Sequence, residues 1–122
     1  MSTIVKRVLS GSTDGKPLAL SATAALTVHT CASSTNIFDE IYIYAHHNVA
    51  ADLNIDIELG TSASGSRFTV AVPGKVGPVL IVPGVPIMGA TTNPIIAAQP
   101  QISATSQSST IYVTGYVNRI TQ

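Results

Sequence analysis

The side chains in this 122-residue chain whose type and spacing could do chemistry are His29, His46, His47, Cys31 and the carboxylates Asp39, Glu40, Asp56 and Glu58. A metal site needs three or four N, O or S donors converging on one point. Adjacent residues of an extended strand point to opposite faces, so only one of His46 and His47 could join His29. No further His or Glu stands at a clear ligand spacing, and the histidines are expected to be solvent-facing or hydrogen-bonded near a strand end. Asp56 and Glu58 are two apart on a strand, about 7 Å, which falls within the roughly 5 to 9.5 Å a glycosidase pair requires. The chain has no Trp and only 5% aromatic residues from which to build a sugar platform, so these carboxylates are read as a solvated strand face. A lone cysteine permits neither an internal disulfide nor a cysteine-based zinc site, and Cys31 is read as an apolar filler in a strand over 25–31. Ser64 lies in ASGS, with no nucleophile elbow and no helix after it. The GKVGP segment at 74–78 lacks the spacing of a phosphate loop. We therefore assign no catalytic residue, no metal ligand and no cofactor, and read the protein as not an enzyme.

The elements that would position these groups are strands. Residues 37–60 are the best-determined stretch, and the pattern predicts one antiparallel hairpin. Leu53, Ile55, Ile57 and Leu59 alternate with Asn54, Asp56 and Glu58, giving one aliphatic and one polar face. Ile41, Ile43 and Ala45 alternate with Tyr42, Tyr44 and His46, so the partner strand has an aliphatic face and an aromatic one. The aliphatic faces need a second sheet to cover them. Further extended segments are predicted at 17–22, 25–31, 67–72 and 94–98, and in TIYVTGYVNRI at 110–120, where an internal glycine marks a bulge or a close approach. The run at 78–82, PVLIV, is of the kind buried on both faces, and Pro83 and Pro86 after it mark strand ends or an edge. Residues 99–109 suit an edge strand, anchored by Ile102, followed by a loop. Residues 1–10 fit an N-terminal arm or an edge strand, because Lys6 interrupts the apolar row of Ile4 and Val8. No segment has a sustained helical period. Eight to ten short strands separated by turns describe a single all-β domain over 1–122, a β-sandwich with jelly-roll topology and minimal helix.

Composition narrows the partners. Formal net charge is zero and only 10% of residues are charged, against about 25% in an average soluble domain. A neutral chain is a poor sequence-independent nucleic-acid binder, which needs a basic face to release counterions. No apolar run approaches the roughly 18 residues of a membrane span, and no signal pattern opens the chain, so synthesis in a cytoplasm is expected, without membrane association. The charge deficit fits a small sandwich coated in Ser and Thr, or a surface covered in an assembly.

Several stretches read in order carry a resemblance. LSGSTDGKPLAL at 9–20, FDEIYIYA at 38–45, VPG at 82–84 and IYVTGYVNRIT at 111–121 together resemble the small head-decoration, or cement, proteins of tailed bacteriophages. The resemblance implies a β-sandwich or jelly roll that binds the outer capsid surface as a homo-oligomer, a trimer, stabilising contacts between major capsid proteins, with no catalytic residue to carry over. Made in the host cytoplasm, such a protein would reside on the virion. Candidate assembly contacts are Ile4 and Val5 in the N-terminal segment and Tyr42 and Tyr44 on the aromatic face. The alternative function is a glycan- or receptor-binding jelly roll on a virion surface, using the loops at 32–36 and 61–66. A third, a small metal-dependent cupin, would hold metal through His29 and one of His46 and His47.

Overall fold

The structure is a computed structural model that describes residues 2–20, 25–60, 67–100 and 110–122. All nine elements within them are strands: β1 (Thr3–Val8), β2 (Leu18–Leu20), β3 (Leu26–Thr30), β4 (Ile37–His46), β5 (Leu53–Gly60), β6 (Arg67–Val72), β7 (Val79–Met88), β8 (Ile95–Pro100) and β9 (Ile111–Thr121). They form two antiparallel sheets. Sheet A runs β1-β9-β4-β7, with β2 also on β9, and sheet B runs β3-β8-β5-β6. β1 pairs with Tyr116–Thr121 and β2 with Ile111–Val113, so the two act as one first strand interrupted by the excursion at 9–17. Counted that way, the eight strands are ordered 1-8-3-6 and 2-7-4-5, the winding of a jelly roll.

The aliphatic parities read from the sequence supply the core. Ile41, Ile43 and Ala45 of β4 and Ile111, Val113 and Val117 of β9 have no exposed surface, nor do Ile55 and Ile57 of β5, Val72 of β6 and Ile96 of β8. β4 and β5, however, are not a hairpin. β4 pairs with β7 and β9, and β5 with β6 and β8. Both aliphatic faces must be buried, and placing the strands in opposite sheets lets those faces meet across the core, which lateral pairing in one sheet does not. The connection at 47–52 is long enough to cross between sheets and has no Asn-Gly or Asp-Gly pair to force a two-residue turn. His47 secures it: its Nε2 donates to the Val72 carbonyl at 2.7 Å and its Nδ1 accepts from the Val49 amide at 3.2 Å.

Of three other expectations, one is resolved between its alternatives, toward the edge, and two need correction. β7 is one continuous strand through Pro83 and Pro86. It tolerates them because it is an edge, with register shifts opposite Ile41–Tyr42 and Ile43–Tyr44, and for the same reason its apolar run is not buried on both faces: Leu80 is 42% exposed. Gln99 and Pro100 belong to β8, which is interior to sheet B between β3 and β5. Ile102 and the loop at 61–66 lie outside the described residues.

The glycine in β9 is a close approach. Gly115 stands opposite Ile43 with φ of 157°, and a Cβ there would fall on the Tyr42 carbonyl oxygen. Gly77, at φ of 80°, has open space where a Cβ would stand, with nothing within 4 Å. Gly115→Ala is therefore expected to destabilise the fold by about 2–3 kcal/mol through steric conflict and strain, whereas Gly77→Ala costs about 1 kcal/mol from backbone strain alone. Urea unfolding midpoints of the two variants check the order, and equal losses would contradict it.

Candidate functional site

At one end of the sandwich a charged chain crosses the core. Asp39 shares parity with Ile41 and Ile43 on β4, so its carboxylate is carried inward and is 1% exposed. Arg119 stands directly opposite it on β9 and binds it with two prongs, Nε donating to Oδ1 at 2.8 Å and Nη2 to Oδ2 at 2.9 Å. The third member comes from the other sheet. A register shift in β3 between Thr27 and His29 turns both Val28 and His29 inward, as a bulge does, and His29 Nε2 lies 2.8 Å from Asp39 Oδ2.

The protonation of the imidazole follows from its partners. The Ser10 amide donates to His29 Nδ1 at 3.1 Å. An amide N–H cannot accept, so Nδ1 is bare and the ring proton sits on Nε2, donated to Asp39. Burial pushes the His29 pKa below its usual 6.5, outweighing the favourable hydrogen bond and charge of Asp39, and the charges of Arg119 and Arg7 act in the same direction as burial. Burial alone would raise the Asp39 pKa, but hydrogen bonds from Arg119 and His29, with their charges, hold it below 3.8. Two further bonds secure the excursion after β1: the Thr30 amide donates to Ser10 Oγ at 2.6 Å and the Gly11 amide to the Val28 carbonyl at 3.0 Å.

Cys31 completes the cluster, with its sulfur and the donor atoms of His29 and Asp39 all within 4.8 Å of one another. Buried as expected, its thiol is pushed up to about 11 by desolvation and by the charge of Asp39, so it is protonated at neutral pH and not a nucleophile. Metal ligation finds no ready donor set. His29 offers no free lone pair, both Asp39 oxygens are engaged by Arg119 and His29, and the sulfur is a thiol. Neither His46 nor His47 belongs to this cluster: His47 holds the β4–β5 crossover, and His46 stacks on Tyr112 with ring centroids 5.5 Å apart.

The remaining sequence candidates make no hydrogen bond or ion pair with the chain of Arg119, Asp39 and His29. Asp56 accepts from Thr69 Oγ1 at 2.6 Å, and Glu58 pairs with Arg67 at 2.8 Å, across β5 and β6. On the outer face of sheet A, Tyr42 and Tyr116 stack at 4.7 Å, Lys6 Nζ sits 4.7 Å from the Tyr116 centroid, and Tyr42 donates to Glu40. Tyr44 is half-buried, and Ile4 and Val5 are 65% and 51% exposed on β1. A ladder partner fixes the side: Val5 lies opposite inward-facing Arg119, and Ile4 opposite Ile120 on the other face.

A cleft of about 690 Å³ opens beside the buried chain, walled by β1 and its excursion, by β3 and residues 31–33, and by Arg119. β1 and β3 are edges of their respective sheets, so the cleft is the gap between two sheet edges. The loop at 32–36 contributes Ala32 and Ser33 to its wall. Sequence reasoning did not foresee the His29–Asp39–Arg119 chain, although the signal was present: an acid and a base each stand on an otherwise aliphatic strand face.

No protein-family model and no curated protein matches the chain. Among solved structures, a chain in the structure of infectious bursal disease virus, Gt strain, matches with TM-score 0.52 and 11% identity over 99% of this chain. A chain of the Gx strain structure gives TM-score 0.49 and 11% identity over 98%. The present chain spans 33% and 32% of the length of those chains, and at this identity the likeness is one of fold.

The buried chain makes stability fall in acid in two stages. Unfolded His29 takes up a proton near pH 6.5 while the folded site resists it, so stability declines as pH drops from that value toward the lower folded pKa, by at most about 1.4 kcal/mol per pH unit. A second decline begins below pH 3.8, as unfolded Asp39 protonates before the folded carboxylate does. His29→Gln should remove the upper stage, and Asp39→Asn should cost about 3 kcal/mol at pH 7 by leaving Arg119 without its counter-charge. Denaturation midpoints measured across pH read both, and an upper stage that persists in His29→Gln would contradict the assignment.

Proposed function

We propose that this protein is a structural component of a virion, a decoration protein that binds the outer surface of a phage capsid as a trimer and stabilises contacts between major capsid proteins. The observation that carries the reading is β1, an edge strand exposed at all six positions, three of them the apolar Ile4, Val5 and Val8. Its outer backbone groups have no strand partner among the described residues, a template for pairing with another chain. The ordered motifs, the jelly-roll fold and the low charge support the same reading. Apolar contact of this kind contributes roughly 25 cal/mol per Å² removed from water, and repetition over a shell multiplies weak contacts into firm attachment. Ile4 and Val5, held in a strand, act from the sheet edge and not from a free arm. Tyr42 and Tyr44 offer a second contact, on the outer face of the same sheet. No catalytic role is assigned, and synthesis in the host cytoplasm precedes attachment.

Co-sedimentation with undecorated capsids tests this reading, with solution mass measured by light scattering. A trimer that pellets saturably at a fixed ratio to coat protein is the expected result. Replacing Ile4 and Val5 together by Asp should reduce capsid occupancy by about tenfold or more while leaving thermal stability near that of the parent, since both side chains are exposed. Unchanged occupancy in the double variant would remove β1 as the contact, and a protein that stays in the supernatant would overturn the capsid reading.

A further inference from the structure

The cleft between the β1 and β3 edges has a composition unlike the rest of the molecule. Two of the chain's six Lys and Arg residues, Arg7 and Arg119, line it, and none of its six acids does. Arg119 is neutralised by Asp39 through Nε and Nη2, its Nη1 has no hydrogen bond with the described residues, and its side chain remains 21% exposed. Arg7 has no hydrogen bond or ion pair with the described residues, yet it lies close enough to His29 for its charge to be felt there. The pair Arg119–Asp39 is neutral and His29 carries no charge at neutral pH, so the cleft presents a net charge of one, from Arg7. Around it stand the hydroxyls of Ser10, Thr13, Thr30 and Ser33. Ser10 Oγ accepts from the Thr30 amide, which leaves its own proton to donate. No Phe, Tyr or Trp ring lines the space among the described residues. Its volume lies within the roughly 300–1,000 Å³ of small-molecule sites.

We propose that this cleft binds a monoanionic carboxylate that carries hydroxyl groups, the chemistry of an acidic sugar, with Arg7 taking the carboxylate and Arg119 Nη1 as a second donor. A guanidinium matches a carboxylate edge to edge with paired hydrogen bonds. The single net charge suits a carboxylate better than a dianionic phosphate. The hydroxyl-lined wall supplies donors and acceptors for the hydroxyls of the ligand. Without an aromatic platform, recognition rests on charge and hydrogen bonding, so the site discriminates against neutral sugars. The inference is independent of the capsid reading, since a carboxylate site in this cleft requires no coat protein.

Titration of the ¹⁵N-labelled protein with D-glucuronate at constant ionic strength, followed by amide shifts, tests it. Saturable shifts at Ser10, Thr30 and Arg7 are expected. The neutral methyl ester of glucuronate should bind about tenfold or more weakly, and Arg7→Gln should weaken glucuronate to a similar degree with its unfolding midpoint unchanged. A glucuronate-terminated oligosaccharide compared with the monosaccharide separates the sources: tighter binding of the oligosaccharide assigns the site to a glycan end, and equal binding assigns it to the free acid. Shifts that do not saturate, an ester that binds as well as the acid, or an Arg7→Gln variant that binds like the parent would each overturn the proposal.

Discussion

Arg119, Asp39 and His29 form a hydrogen-bonded chain from β9 through β4 to β3, and with it one end of the sandwich is held across the gap between its sheets. Burying charge is costly unless every partner is in place. Here the Asp39 carboxylate is met by two guanidinium N–H groups and an imidazole N–H, and the far nitrogen of that imidazole is met by the Ser10 amide. Each bond constrains a different feature of the fold: the two-pronged pair fixes the β4–β9 register, the imidazole ties sheet B to sheet A, and the Ser10 amide pins the excursion that interrupts the first strand. A shift of one residue in β4 or β9 would turn Asp39 or Arg119 out of the core and leave its partner buried alone. The chain therefore contributes register as much as energy, and the cleft beside it owes its shape to the same contacts.

The core strands were legible because period-two alternation is a direct statement of which side faces water. Ile41, Ile43 and Ala45, like Leu53, Ile55 and Ile57, are buried as their parity requires. What alternation does not carry is the identity of the neighbouring strand. The 37–60 stretch reads equally well as two strands of one sheet or as two strands facing each other, and the loop between them, lacking a tight-turn pair, was compatible with both. The same limit left the place of β7 open, since an apolar run beside two prolines fits a buried strand that ends or an edge strand that continues. His29 was obscured by the bulge in β3, which gives Val28 and His29 the same side and breaks the alternation that would have placed them apart. Asp39 and Arg119 were readable in principle: each shares parity with aliphatic residues, and two opposite charges on core faces imply a buried pair.

Low charge takes on a clearer physical meaning with the fold in view. Two acids on sheet B pair with Thr69 and Arg67 across β5 and β6, and Lys6 lies over the Tyr116 ring on sheet A, so charged groups are used within each face. Two surfaces of the described residues stand out beside these pairs: the β1 edge, apolar at three of six positions, and the cleft beneath it, cationic and rich in hydroxyls. They differ in chemistry although they adjoin. An apolar edge with open backbone groups suits a broad protein contact, whereas the cleft suits a small polar ligand with one negative charge. Arg7 and Val8 are neighbours in the chain and both line the cleft, so the two surfaces meet along β1.

A neutral His29, protonated on Nε2 and bare at Nδ1, links the two sheets through Asp39. Long-range ¹H–¹⁵N correlation spectra of the imidazole at pH 7 test it most directly, because the two ring nitrogens report their protonation separately. A single ring proton on Nε2, protected from exchange with water by its bond to Asp39, and an unprotonated Nδ1 are expected. A proton on Nδ1, or a ring proton in free exchange with solvent, would contradict this assignment.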